Sequence, residues 1–227
     1  MISAFWEMFK PLYAVYTLEG YTENEIAYLK ELFGALPRVL EDYYRAAGRT
    51  KAFHCVQDTW MLPEHFQKWE WLREPDYLIL LNENQGVCQA GIRREDLMLP
   101  DPPVYVTEDD KNWALCAPTT SEFLSAALAY EGVFTFEYNP EEFYWLTEEE
   151  LGLIQSKLTK FPFEMTNWLC GMRITLYSNE PDNMVAVMDC GDWGLHRDGD
   201  LQMLYGAAGE ASYARLMSVL EGVGEGI

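Results

Sequence analysis

Residues 76–92 read Asp76-Tyr-Leu-Ile-Leu-Leu-Asn-Glu-Asn-Gln-Gly-Val-Cys-Gln-Ala-Gly-Ile92, and after a polar link residues 101–106 read Asp101-Pro-Pro-Val-Tyr-Val106. The apolar run at 77–81 predicts a strand buried on both faces. Residues 82–86 supply turn chemistry, with Gly86 free to take positive φ. Beyond the turn, Val87, Gln89 and Gly91 face one way and Cys88, Ala90 and Ile92 the other. That alternation predicts a second strand, paired with the first in an antiparallel hairpin. Pro102 and Pro103 cannot donate to a ladder, so they flank a third strand at 104–106. Tyr77, Ile79, Leu80, Val104 and Val106 are the expected core of this sheet.

Working outward, the 227 residues suffice for one large domain or two small ones, and 49% of them are hydrophobic, enough for a sizeable core. The formal net charge is -21. Such a surface repels nucleic-acid phosphates and anionic membranes and attracts basic proteins; the same acidity also serves solubility. The five cysteines contain no Cys-x-x-Cys pair, which points to reduced thiols and a cytoplasmic location. Residues 1–16 are apolar but interrupted by Glu7 and Lys10, without a basic leader, and do not read as a signal peptide.

The flanking chain reads as helices and strands in alternation. Ile2, Phe5, Trp6 and Phe9 recur at helical spacing until Pro11, and 12–16 read as an edge strand. Capping boxes pair Thr22 with Glu25, Thr119 with Glu122 and Thr147 with Glu150. The first opens a stripe of Ile26, Leu29, Leu32 and Phe33 that Gly34 ends. Pro37 opens a helix burying Leu40, Tyr43 and Tyr44, and Pro63 opens another through Phe66. Residues 113–116 and 133–138 read as strands. A second hairpin is predicted from 172–177 and 184–188, then a strand at 202–205 and a helix carrying Tyr213, Leu216, Met217 and Leu220. The glycine-rich end, 222–227, is expected to fray. The class is α+β, a mainly antiparallel sheet flanked by helices, and the reading is a single domain over 1–227.

The order Asn82-Glu83-Asn84-Gln85-Gly86-Val87, then Gly91-Ile92, then Asp101-Pro102-Pro103-Val104-Tyr105-Val106 resembles the SUKH superfamily of Smi/Knr-type proteins. The Leu36-Pro37 helix start resembles its N-terminal signature, although Ala46-Ala47-Gly48-Arg49 departs from the asparagine-glycine helix end frequent there. The resemblance covers most of 36–220, leaving 1–21 and 141–163 as elaborations. It implies a non-catalytic bacterial immunity protein that neutralises a cognate toxin by direct binding. A basic, nuclease-type toxin suits the acidic balance. The alternative within the same fold is a regulatory or scaffold protein of the cell-wall-regulator type.

Enzymatic chemistry has one sequence candidate, Cys190 and His196 in the glycine-punctuated run 190–198, where a thiol and an imidazole lie close. Glycines after a strand more readily mark turns. His54, Cys55, Asp58 and His65 lack the doubled ligand pairs of a zinc site, and no phosphate-cradling glycine pattern is present. No catalytic residue, metal or cofactor is therefore expected. Two loops are the expected partner contacts: Glu83 and Asn84 at the hairpin turn, and Asp189, Asp192 and Trp193 after the later strand. Trp193 would act as a desolvated anchor.

Overall fold

The computed structural model describes residues 2–54, 57–73, 76–191, 194 and 199–227. Among these, every strand pairing is antiparallel and helices flank two sheets, an α+β fold of mainly antiparallel sheet. Contacts separate the chain into two units, Tyr16–Leu124 and Ser3–Val15 with Ser125–Ile227. No helix among the described residues is long and apolar enough to cross a membrane.

Helix α1 (Ile2–Tyr13) runs through Pro11 rather than stopping at it, and no edge strand follows. Proline removes one ladder hydrogen bond. Burial of Leu12 and Tyr13 holds the last turn regardless, and the Val15 amide closes it on the Lys10 carbonyl at 3.3 Å.

In the unit Tyr16–Leu124, helix α2 (Glu23–Phe33) begins at the Thr22–Glu25 capping box and ends at Gly34, whose φ of 82° is the left-handed turn glycine permits. It buries Ile26, Leu29 and Phe33; Leu32 stays partly exposed. Helix α3 (Arg38–Ala46) follows Pro37 and buries Leu40, Tyr43 and Tyr44. Strand β1 (Thr59–Trp60) precedes helix α4 (Pro63–Lys68), and a 3-10 turn at Glu70–Arg73 leads to the sheet.

The predicted hairpin is β2 (Tyr77–Asn82) with β3 (Gln89–Arg93), extended by β4 (Val104–Thr107) and β5 (Ala114–Ala117) in the order β1-β2-β3-β4-β5. A register shift between Ile79 and Leu81 lets β2 bury four consecutive residues. Leu78 lies opposite Ile92 and Leu81 opposite Ala90, all on one buried face. Ile79 lies opposite Gly91 on the other. Of the five expected core residues, Ile79, Leu80, Val104 and Val106 are at most 2% exposed. Tyr77 is only half-buried, because its ring stands on the second, more open face.

In the other unit, helix α5 (Thr120–Thr135) starts within Tyr16–Leu124 and continues where 133–138 were predicted as a strand. Its last turns are buried on all sides, through Tyr130, Glu131 and Val133, so alternation there reports burial rather than a pleat. Only Tyr138 pairs, in an isolated bridge to Ala207. Strand β6 (Tyr144–Leu146) leads into helix α6 (Glu148–Lys157), opened by the Thr147–Glu150 box. Short strands β7 (Thr159–Lys160) and β8 (Met165–Asn167) and the turn α7 (Trp168–Gly171) precede the second predicted hairpin, β9 (Met172–Ser178) and β10 (Asn183–Asp189). Strand β11 (Leu201–Ala207) and helix α8 (Glu210–Val219) follow.

The chain end does not fray. Strand β12 (Glu225–Gly226) pairs with β6, and Glu150, already closing its capping box, also accepts the Gly224 amide at 2.9 Å. The sheet runs β12-β6-β11-β10-β9-β7, with β8 beside β9. Leu146, Ile154, Val185, Val187, Met203 and Leu216 form its core.

Ile79 is fully buried at the centre of β2, so Ile79→Ala should cost about 2–5 kcal/mol in urea unfolding. A loss well under ~1 kcal/mol would make the strand peripheral.

Candidate functional site

Strand register assigns the open face of the five-stranded sheet. Tyr77 pairs with Arg93, Gly91 with Tyr105 and Tyr105 with Leu115, so these side chains share one surface. Alternation along the approach to β5 adds Trp113. The Trp113 ring lies flat on Tyr77, centroids 3.6 Å apart and planes 6° from parallel. Tyr105 meets Tyr77 edge-on at 6.1 Å, and the Arg93 guanidinium sits 4.4 Å above the Tyr105 ring. Arg93 also donates to the Tyr77 hydroxyl at 3.3 Å and pairs with Glu95 at 3.2 Å. Leu115 remains 46% exposed. The result is an aromatic surface on a rigid scaffold.

At its edge lies a groove of about 570 Å³, walled by Trp71, Tyr77 and Trp113 with Asp76, Asp110 and Lys111 around them. Trp71 is 47% exposed, an unusual position for the largest apolar side chain. It stacks at 6.4 Å on Trp69, which stacks at 4.5 Å on His65. Burial lowers the His65 pKa, which favours the neutral ring in that stack.

The turn from β4 to β5 positions Asp110 and Trp113, and Asp109 organises it. One Asp109 carboxylate oxygen accepts the amides of Asn112 and Lys111 at 2.8 and 3.0 Å; the other accepts the Asn112 side-chain amide at 2.7 Å. These bonds favour the charged form and hold its pKa well below the usual carboxylate range. Asp110 takes a φ of 61°, a left-handed conformation aspartate tolerates, and its carboxylate accepts the Gln89 side-chain amide.

Glu83, Asn84 and Asp189, the described members of the sequence-predicted contacts, do not line this groove. Glu83, expected to face a partner, is 5% exposed. Its carboxylate folds back to accept the Gln85 amide at 2.8 Å and the Val87 amide at 3.4 Å, so it builds the hairpin turn instead of presenting charge. Asn84 is exposed at that turn. Asp189 is exposed at the end of β10, in the other unit, and accepts the Gly191 amide at 3.0 Å. Asp192 and Trp193 lie outside the described residues. Trp71, Asp76, Asp110 and Trp113 form no recognisable motif in the sequence. Their signal in sequence was faint: two tryptophans beside acidic turns, one on each flank of the predicted hairpin.

The Cys190 thiol is buried, and its pKa is pushed up to about 11, first by burial and then by the Asp200 and Asp189 carboxylates. A thiol protonated at neutral pH is a poor nucleophile. His196 lies outside the described residues, as does Cys55 of the considered metal ligands. His54 instead bonds the Gly48 carbonyl at 2.7 Å, and no metal-holding cluster occurs among the described residues. Of the described cysteines, Cys88, Cys116 and Cys190 are buried and Cys170 is exposed.

No protein-family model matches this chain, nor does any curated protein or solved structure. The chemistry of the face must be read from its own residues.

Because the Asp109 pKa is depressed on folding, its support for the turn is fully present above the ordinary value of 3.8 and is lost only as pH falls on toward the depressed folded value. Asp109→Ala at neutral pH should therefore speed amide exchange at Lys111 and Asn112, and the parent should show the same loosening in acid. Unchanged exchange in both cases would remove Asp109 as the organiser of the turn.

Proposed function

We propose that this chain is a non-catalytic immunity protein of SUKH type, which neutralises a cognate bacterial toxin by direct binding. The observation that carries the reading is the aromatic face of the β2–β5 sheet. Large, rigid aromatics on regular strands bury much area on docking at little entropic cost, which is how interface anchors work. The stretch that resembles the superfamily supplies β2, β3 and β4 of this same sheet, so the resemblance and the face coincide. The net charge of -21 would speed encounter with a basic toxin, of nuclease type for example, and disfavours nucleic acid or anionic membrane as the partner. The odd cysteine count without a Cys-x-x-Cys pair favours a cytoplasmic site of action.

The experiment is co-expression with a toxin encoded beside the gene. Rescue of growth and a co-purifying complex are expected. Absence of both would contradict immunity, and capture of a signalling protein in their place would favour the regulatory role.

A further inference from the structure

We infer that the groove bounded by Trp71 and the Tyr77–Trp113 stack is a seat for an arginine side chain carried by a basic protein. The inference deepens the protein-binding reading above and rests on it for the nature of the partner.

The walls select a planar cation. Trp71 and the Tyr77–Trp113 stack line the groove with aromatic carbon, and its 570 Å³ leaves room for a side chain together with the backbone that carries it. Ring faces are negative and attract cations, most strongly in tryptophan. Asp76 and Asp110 set two carboxylates on the rim against one ammonium, that of Lys111. Such walls disfavour an anion and give a neutral apolar group nothing for the carboxylates to bond. The protein's acidic balance disfavours a phosphate backbone as occupant and adds long-range attraction for a basic surface.

Guanidinium fits better than ammonium. It stacks flat on aromatic rings while donating in-plane to carboxylates or hydroxyls, whereas an ammonium is a compact, strongly hydrated point charge. The sheet contains its own example. Arg93 stacks on Tyr105 at 4.4 Å while its Nε donates to the Tyr77 hydroxyl at 3.3 Å. Tyr77 is shared between that internal pair and the groove wall. The seat is also preorganised: Asp109 fixes the turn and Gln89 bonds Asp110, so few groups need ordering when a partner arrives.

The probe is a capped glycine–arginine peptide, compared with identical peptides carrying citrulline or lysine in place of arginine. Binding is followed on the full chain through the indole N–H resonances, assigned by Trp71→Phe and Trp113→Phe. The arginine peptide should shift the Trp71 and Trp113 signals and bind about tenfold more tightly than the citrulline peptide, with lysine between. Asp110→Asn, which keeps the shape of the side chain, should weaken binding about threefold, and Lys111→Ala should strengthen it. Equal affinity for arginine and citrulline, or shifts confined to other tryptophans, would overturn the seat. Its failure is separable from that of immunity. Full toxin rescue by Trp71→Ala with Asp110→Asn would discard the seat and keep immunity. Arginine-selective binding without any toxin complex would do the reverse.

Discussion

The five-stranded sheet depends on how closely β3 passes β2 at Gly91. A Cβ there would fall 2.9 Å from the Leu78 carbonyl oxygen, closer than real Cβ atoms come, and a tight 3.2 Å from the Ile79 side chain. With no side chain at 91, Ile79 and Tyr105 can lie on either side of it in the ladder and cover it. The register this sets puts Leu78, Ala90, Ile92, Val104 and Val106 on the buried face. By the same alternation it puts Ile79, itself fully buried, with Tyr77, Arg93 and Tyr105 on the opposite face, which is open only around the three longer polar or aromatic side chains. A slip of one residue would exchange the two sets. The aromatic surface is in this sense a consequence of the core, since the residues that stabilise the sheet decide which aromatics face outward.

Local hydrogen bonds then refine what the register leaves loose. Two carboxylates do opposite kinds of work at the sheet's two tight turns. Glu83 withdraws its charge to bind turn amides and is buried in doing so. Asp109 binds turn amides while exposed, and in that way holds Asp110 and Trp113 at the groove. Acidic residues in turns thus carry no uniform meaning. Whether one meets a partner or builds the loop depends on which amides lie within reach of its oxygens.

What was legible in the sequence follows the range of the interactions involved. The boxes at Thr22–Glu25 and Thr147–Glu150 depend on residues three apart, and both form as expected. The β2–β3 hairpin and the β9–β10 hairpin, joined by short turns, were equally readable. Residues 133–135 misled because a helix buried on every side lacks the polar stripe that would reveal its period. The chain end misled because β12 is held by β6, some eighty residues earlier, through a pairing no local pattern encodes. The groove was hidden for the same reason: Trp71, Asp76 and Trp113 come from three segments that only the folded sheet brings together. Glu83 was assigned correctly to a turn and wrongly to its surface, since side-chain direction within a turn is set by bonds absent from the sequence pattern.

The central claim is that one face of this sheet is wholly core while the opposite face, beyond the buried Ile79, leaves its aromatic edge open, and unfolding free energies of two serine variants test it most directly. Val104 is fully buried, whereas Leu115 is 46% exposed on the opposite face. Val104→Ser should lose several kcal/mol, about 2–4, through a cavity and a buried hydroxyl. Leu115→Ser should stay within about 0.5 kcal/mol of the parent. A loss at Leu115 as large as that at Val104 would mean the aromatic face is core, and the docking surface would not exist.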